Sequence, residues 1–143
     1  MIVLDTTVLV YAVGSAHPLR EPSRALIAAI AEGQVEATTT VEVIQEFVHV
    51  RARRHDRHDA AARGRELLRL LGPLLAPGEA DLAMALRLYE EHEGLGMFDA
   101  VLAATTMLSG ADALVSADRA FADVRGLTHL DPASPELRRL SGA

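Results

Sequence analysis

Three aspartates stand where they could do chemistry together: Asp5 in LDTTVLVYA, Asp99 in GMFDAVLAAT and Asp118 in ADALVSADRAF. Glu46, or less favourably Glu42, in TTTVEVIQEF is a fourth candidate. An Asp at the start of a helix ordinarily caps it and complements its dipole. A Glu on a helix is ordinarily solvated. Here, however, apolar residues crowd each aspartate: Leu4 and Val8, Phe98 and Val101, Val115 and Phe121. Carboxylates gathered in a partly dry site repel one another and raise each other's pKa values. A divalent cation relieves that repulsion, and an all-oxygen ligand set suits Mg²⁺ or Mn²⁺. Such a centre is fitted to hydrolysis of phosphodiesters.

Short apolar runs alternate with longer periodic stretches, the pattern of βα units around a parallel sheet. The expected strands are Ile2–Leu4, Val35–Thr38, Leu74–Leu75, Ala113–Val115 and Thr128–Leu130. Helical spacing covers Arg20–Glu32, Val41–Arg54, Asp59–Leu71, Glu79–His92 and Asp99–Leu108. Gly33, Gly72 and Gly110 sit where helices should stop. In this arrangement Asp5 and Asp118 follow the carboxyl ends of strands, where open α/β sheets collect their ligands. The domain is expected to span residues 1–131, with 132–143 a mobile or partner-dependent tail.

Composition narrows the classes. The chain has 143 residues, enough for one cored domain, and half of them are apolar. It contains no cysteine, which excludes disulfides, thiolate nucleophiles and finger-type zinc sites and fits a cytoplasmic protein. It contains no lysine either, so Schiff-base chemistry and a Walker phosphate site are excluded. No stretch approaches a membrane span or a signal peptide. The net charge of −6 argues against a polyanionic partner in total, but the distribution is uneven. VRARRHDRH, from Val50 to His58, is the one basic stretch, and Arg51 and Arg54 are its candidates for RNA contact. With aromatics at 3%, base stacking is not expected to supply much affinity. His55 and His58 lack a third ligand of their own type nearby, and His49 is expected to be buried or partner-facing.

LDTTVLVYA, TTTVEVIQEF, MFDAVLAAT and LVSADRAF, in this order, resemble the PIN domain and in particular the small VapC-like ribonuclease toxins. The resemblance covers residues 1 to about 131 and selects Glu46 over Glu42, because the family pattern places a large apolar residue after the Glu. It implies a three-layer α/β/α sandwich around a central parallel sheet and Mg²⁺- or Mn²⁺-dependent cleavage of RNA. It also implies a homodimer and a small antitoxin protein as partner. By analogy Asp5, Glu46, Asp99 and Asp118 would hold the metal, with Thr6 and Ser116 supplying nearby hydroxyls. Thr7 departs from the Asn or Ser of many relatives. Asp123 is an outside candidate.

Other readings compete. An aspartate-based phosphatase would normally have a second Asp at position 7, and threonine stands there. A phosphorelay receiver requires a lysine. A non-catalytic interaction domain, or a housekeeping nuclease of the same family, would keep the fold without the toxin role.

Overall fold

The computed structural model describes residues 1–142. Four parallel strands form its sheet: β1 (Ile2–Leu4), β2 (Ala37–Thr38), β3 (Ala113–Val115) and β4 (His129–Leu130), in the order β2-β1-β3-β4. Seven α-helices flank it: α1 (Thr6–Val13), α2 (Arg20–Ala31), α3 (Val41–Ala52), α4 (Arg57–Leu71), α5 (Glu79–Glu91), α6 (Met97–Leu108) and α7 (Pro135–Leu140). A short 3-10 turn, Arg119–Asp123, joins β3 to β4. The result is a three-layer α/β/α sandwich.

Every residue of β1 and β3 is buried. That explains why these strands read as unbroken apolar runs: a parallel sheet covered on both faces has no solvent side to alternate with. The chain leaves β1 for β2 on one side and returns to β3 on the other. The reversal puts a topological switch point at the carboxyl ends of β1 and β3. Residues 5–7 and 116–118 emerge there.

Helix α1 escapes a reading by periodicity. Its sequence, TTVLVYAV, is rich in β-branched residues, which favour strands. The helix forms because Asp5, in extended conformation, caps it by accepting the Thr6 N–H at 2.8 Å, and because Val8, Leu9 and Ala12 are buried. Its neighbours are α2 and α3. Burial of three apolar side chains outweighs propensity differences of a few tenths of a kcal/mol per residue.

Two other expectations are corrected. Leu74–Leu75 is not a strand of the sheet; Leu75 makes one parallel bridge to Thr40, through its N–H to Thr39 O and its carbonyl to Val41 N–H. The pairing goes no further because Pro77 has no N–H to donate and the partner segment turns into α3 at Val41. The tail segment also carries a helix. Ser134 caps α7 with Pro135 at its first turn, and Leu137 is buried against the core beside α2.

Between α3 and α4, Asp56 accepts the Asp59 N–H at 2.7 Å and starts a new helix. The helix expected to run through Arg54 therefore ends at Ala52. Close approach of these two helices depends on Gly64, where a Cβ would stand 2.7 Å from Val48 Cγ2. No helix among the described residues is long and apolar enough to cross a membrane.

Candidate active site

Asp5, Glu46, Asp99 and Asp118 line one cleft of about 500 Å³ at the switch point. Four separate segments deliver them: the end of β1, the middle of α3, the first turn of α6 and the loop after β3. Positions as far apart in the chain as Asp5 and Asp118 thus close to one site. Glu42 is exposed and lines an adjoining apolar groove with Phe98, Val101 and Leu102, while Asp123 is exposed on the 3-10 turn.

Asp5 is 6% exposed, and hydrogen bonds compensate its burial. Oδ1 accepts the Thr6 N–H, while Oδ2 accepts the hydroxyls of Ser116 at 2.6 Å and Thr7 at 2.9 Å. Both hydroxyls then accept backbone amides from the loop after β3: Ser116 Oγ from Asp118 at 2.9 Å, and Thr7 Oγ1 from Ala117 at 3.0 Å. Asp5 is therefore the anchor that holds the Asp118 loop over the end of β1. From beneath, the His129 ring nitrogen Nε2 lies 2.8 Å from Ser116 O and donates to it. Asp118 caps its own turn by accepting the Ala120 N–H at 2.9 Å.

Thr6 Oγ1 donates to Glu46 Oε2 at 2.8 Å, tying α1 to α3 and fixing the Glu46 carboxylate. Thr7 is a residue that sequence reasoning undervalued. Its role depends on a contact with Ala117 across the fold, which no local pattern records.

Asp99 is different. It sits in the first turn of α6, half-buried, and no hydrogen bond to its side chain exists among the described residues. Burial, then the charges of Asp5, Asp118 and Glu46, push its carboxyl up to about 6. Asp99 therefore feels the other three acids. Among the described residues no three carboxylates or imidazoles already stand at the mutual spacing of a finished metal cage. The donor set nonetheless fits a hard cation: it is all oxygen, and its least supported member is a carboxyl made costly by three neighbours.

The basic stretch divides. Arg54 lines the acidic cleft. Arg51 instead donates from Nε to Asp59 Oδ2 at 2.8 Å, with 12% of its side chain exposed. This bond holds the Asp59 carboxyl below its usual range. Both arginines line a neighbouring pocket with Phe47 and His55, but only Arg54 also lines the acidic cleft. His49, expected to be buried or partner-facing, is exposed, 3.2 Å from the Arg53 guanidinium. His55 and His58 are exposed.

Comparison with known proteins accords with this architecture. The PIN domain family model matches residues 2–127. The chain is 55% identical over 143 residues to Ribonuclease VapC7 of Mycobacterium tuberculosis strain ATCC 25618 / H37Rv, covering 99% of each. Among solved structures, VapBC2 from Rickettsia felis, bound to a DNA fragment from its promoter, superposes with a TM-score of 0.71 at 17% identity. That match covers 92% of this chain and 98% of the other. A toxin–antitoxin complex from Klebsiella pneumoniae gives 0.70 at 17% identity, covering 94% and 99%. At that identity these two speak for the fold alone. Taken with the family match and the full-length similarity, they place the chain in the PIN domain family, alongside the VapC proteins.

Proposed function

We propose that the protein is a divalent-metal-dependent endoribonuclease and the toxin of a toxin–antitoxin pair. The observation that carries this reading is the convergence of Asp5, Glu46, Asp99 and Asp118 on one cleft in a chain 55% identical to a ribonuclease. These four would hold Mg²⁺ or Mn²⁺. When bound, the cation supplies a Lewis acid for the scissile phosphate and for water.

The chain's own residues do the positioning. Ser116 and Thr7 orient Asp5, and Thr6 orients Glu46, so two carboxylates are set before any ligand arrives. Such preorganisation avoids the cost of reorientation during reaction. Asp99, its carboxyl pushed up to about 6 by burial and the neighbouring acids, would hold the cation in its ionised form. Arg54 offers a guanidinium to a phosphate of the RNA at the edge of the acid cluster. Arg51, committed to Asp59, contributes to the shape of the basic corner.

One neighbour of the same fold is a toxin–antitoxin complex, and we extend the reading to a small antitoxin as partner and to a cytoplasmic homodimer. The decisive experiment is cleavage of cellular RNA by purified protein with Mn²⁺ or Mg²⁺, with chelator, and with Asp99→Asn. Cutting that needs the metal and disappears in the variant supports the reading. Cutting that survives both overturns the assignment of the site. Growth arrest on expression, relieved by the product of an adjacent reading frame, tests the toxin role.

A further inference from the structure

Beside its carboxylates the cleft has an aromatic wall. Tyr11 and His17 both line it. Their rings are stacked, with centroids 4.3 Å apart and planes inclined by 22°. Tyr11 lies one helical turn beyond Thr7 on α1, about 6 Å further along the same face. His17 comes from the loop between α1 and α2, and a local bond fixes its ring: Nδ1 accepts the Leu19 N–H at 3.1 Å. The neutral imidazole therefore carries its proton on Nε2. Tyr11 is half-buried and His17 exposed, so one face of the imidazole covers the tyrosine while the other is open to solvent.

A pre-stacked, oriented aromatic face beside an acidic centre has few uses for an anionic peptide, which the carboxylates would repel. It is well matched to a nucleobase, which is flat, uncharged and attached to the phosphate that such a centre acts on. Resting on the ribonuclease reading above, we propose that Tyr11 and His17 form a stacking platform for a base of the RNA next to the phosphate being cut. Aromatics are scarce elsewhere in the chain, yet one platform suffices to set which nucleotide lies across the acids. Phosphate contacts then supply most of the remaining affinity. Stacking tolerates any base but favours the larger face, so the platform prefers a purine.

The test is binding of a short single-stranded RNA carrying 2-aminopurine, whose fluorescence falls on stacking, to protein that carries Asp99→Asn so that it does not cut. With His17 intact, fluorescence is quenched on binding. His17→Ala is expected to weaken binding about tenfold and to abolish the quench, whereas His17→Phe retains both. Intact His17 that binds RNA without quenching, or His17→Phe that fails like His17→Ala, overturns the platform and leaves the ribonuclease reading standing. If the protein with native Asp99 neither binds nor cuts RNA, the ribonuclease reading falls and the platform falls with it.

Discussion

Asp99 is the acid with the least support, and its chemistry can be separated from folding. Its carboxyl titrates near 6 in the folded protein against 3.8 when unperturbed. Between those values the folded chain holds more proton than the unfolded chain, so stability falls as pH rises through that window. Because Asp99 is half-exposed, solvent screening reduces the roughly 3 kcal/mol implied by such a shift to on the order of 1–2 kcal/mol. We therefore expect Asp99→Asn to stabilise the metal-free protein by about that amount at pH 7.5 and not at pH 4, measured by urea unfolding. The same variant should lose at least about a hundredfold in RNA cleavage. Mn²⁺ binding, followed by calorimetry, should release protons at pH 5.5 and tighten as pH rises past 6. Asp99 was legible from its sequence motif. Its isolation from hydrogen-bond donors was not, because that depends on which side chains the other segments bring near.

At the scale of elements, the α3–α4 corner divides one basic stretch into two functions. Arg54→Ala should weaken RNA binding and lower the slope of log affinity against log salt by about one, as expected when a single phosphate is no longer neutralised. Arg51→Ala should leave that slope unchanged and lower thermal stability, since it removes the partner of Asp59. The composition of VRARRHDRH marked the corner as basic, but the Arg51–Asp59 pair and the place of Arg54 at the cleft emerge only in the fold. Gly64 controls how closely the two helices approach. Gly64→Ala gains about 1 kcal/mol of helix propensity but drives a Cβ into a stiff Val48 side chain, so a net loss of about 1–2 kcal/mol is expected. Val48→Ala in the same chain should recover part of it, and urea unfolding of the double variant checks this. Helix α1 teaches the converse lesson. Its β-branched residues point locally to strand, and only the Asp5 cap and the packing of Val8, Leu9 and Ala12 make it helical.

Across the whole molecule, the last helix belongs to the core. Leu137 is 2% exposed, so Leu137→Ala should cost about 2–4 kcal/mol while leaving the carboxylate cleft intact. A fall in urea midpoint with metal-dependent activity retained below it would confirm the separation. The sequence by itself pointed to the class of the fold, to three aspartates with Glu46 or Glu42 beside them, and to the places where strands end. Those features are local: an apolar run followed by Asp, a capped helix start, and composition without lysine or cysteine. Only the tertiary structure decided what lies beside what. It placed Ser116 and Thr7 on one oxygen of Asp5, set Arg54 at the cleft and paired Arg51 with Asp59, and stacked His17 on Tyr11. The physical reason is that hydrogen bonds and charge interactions act over a few ångströms in space. The separations they bridge along this chain reach 111 residues, beyond what any local pattern carries.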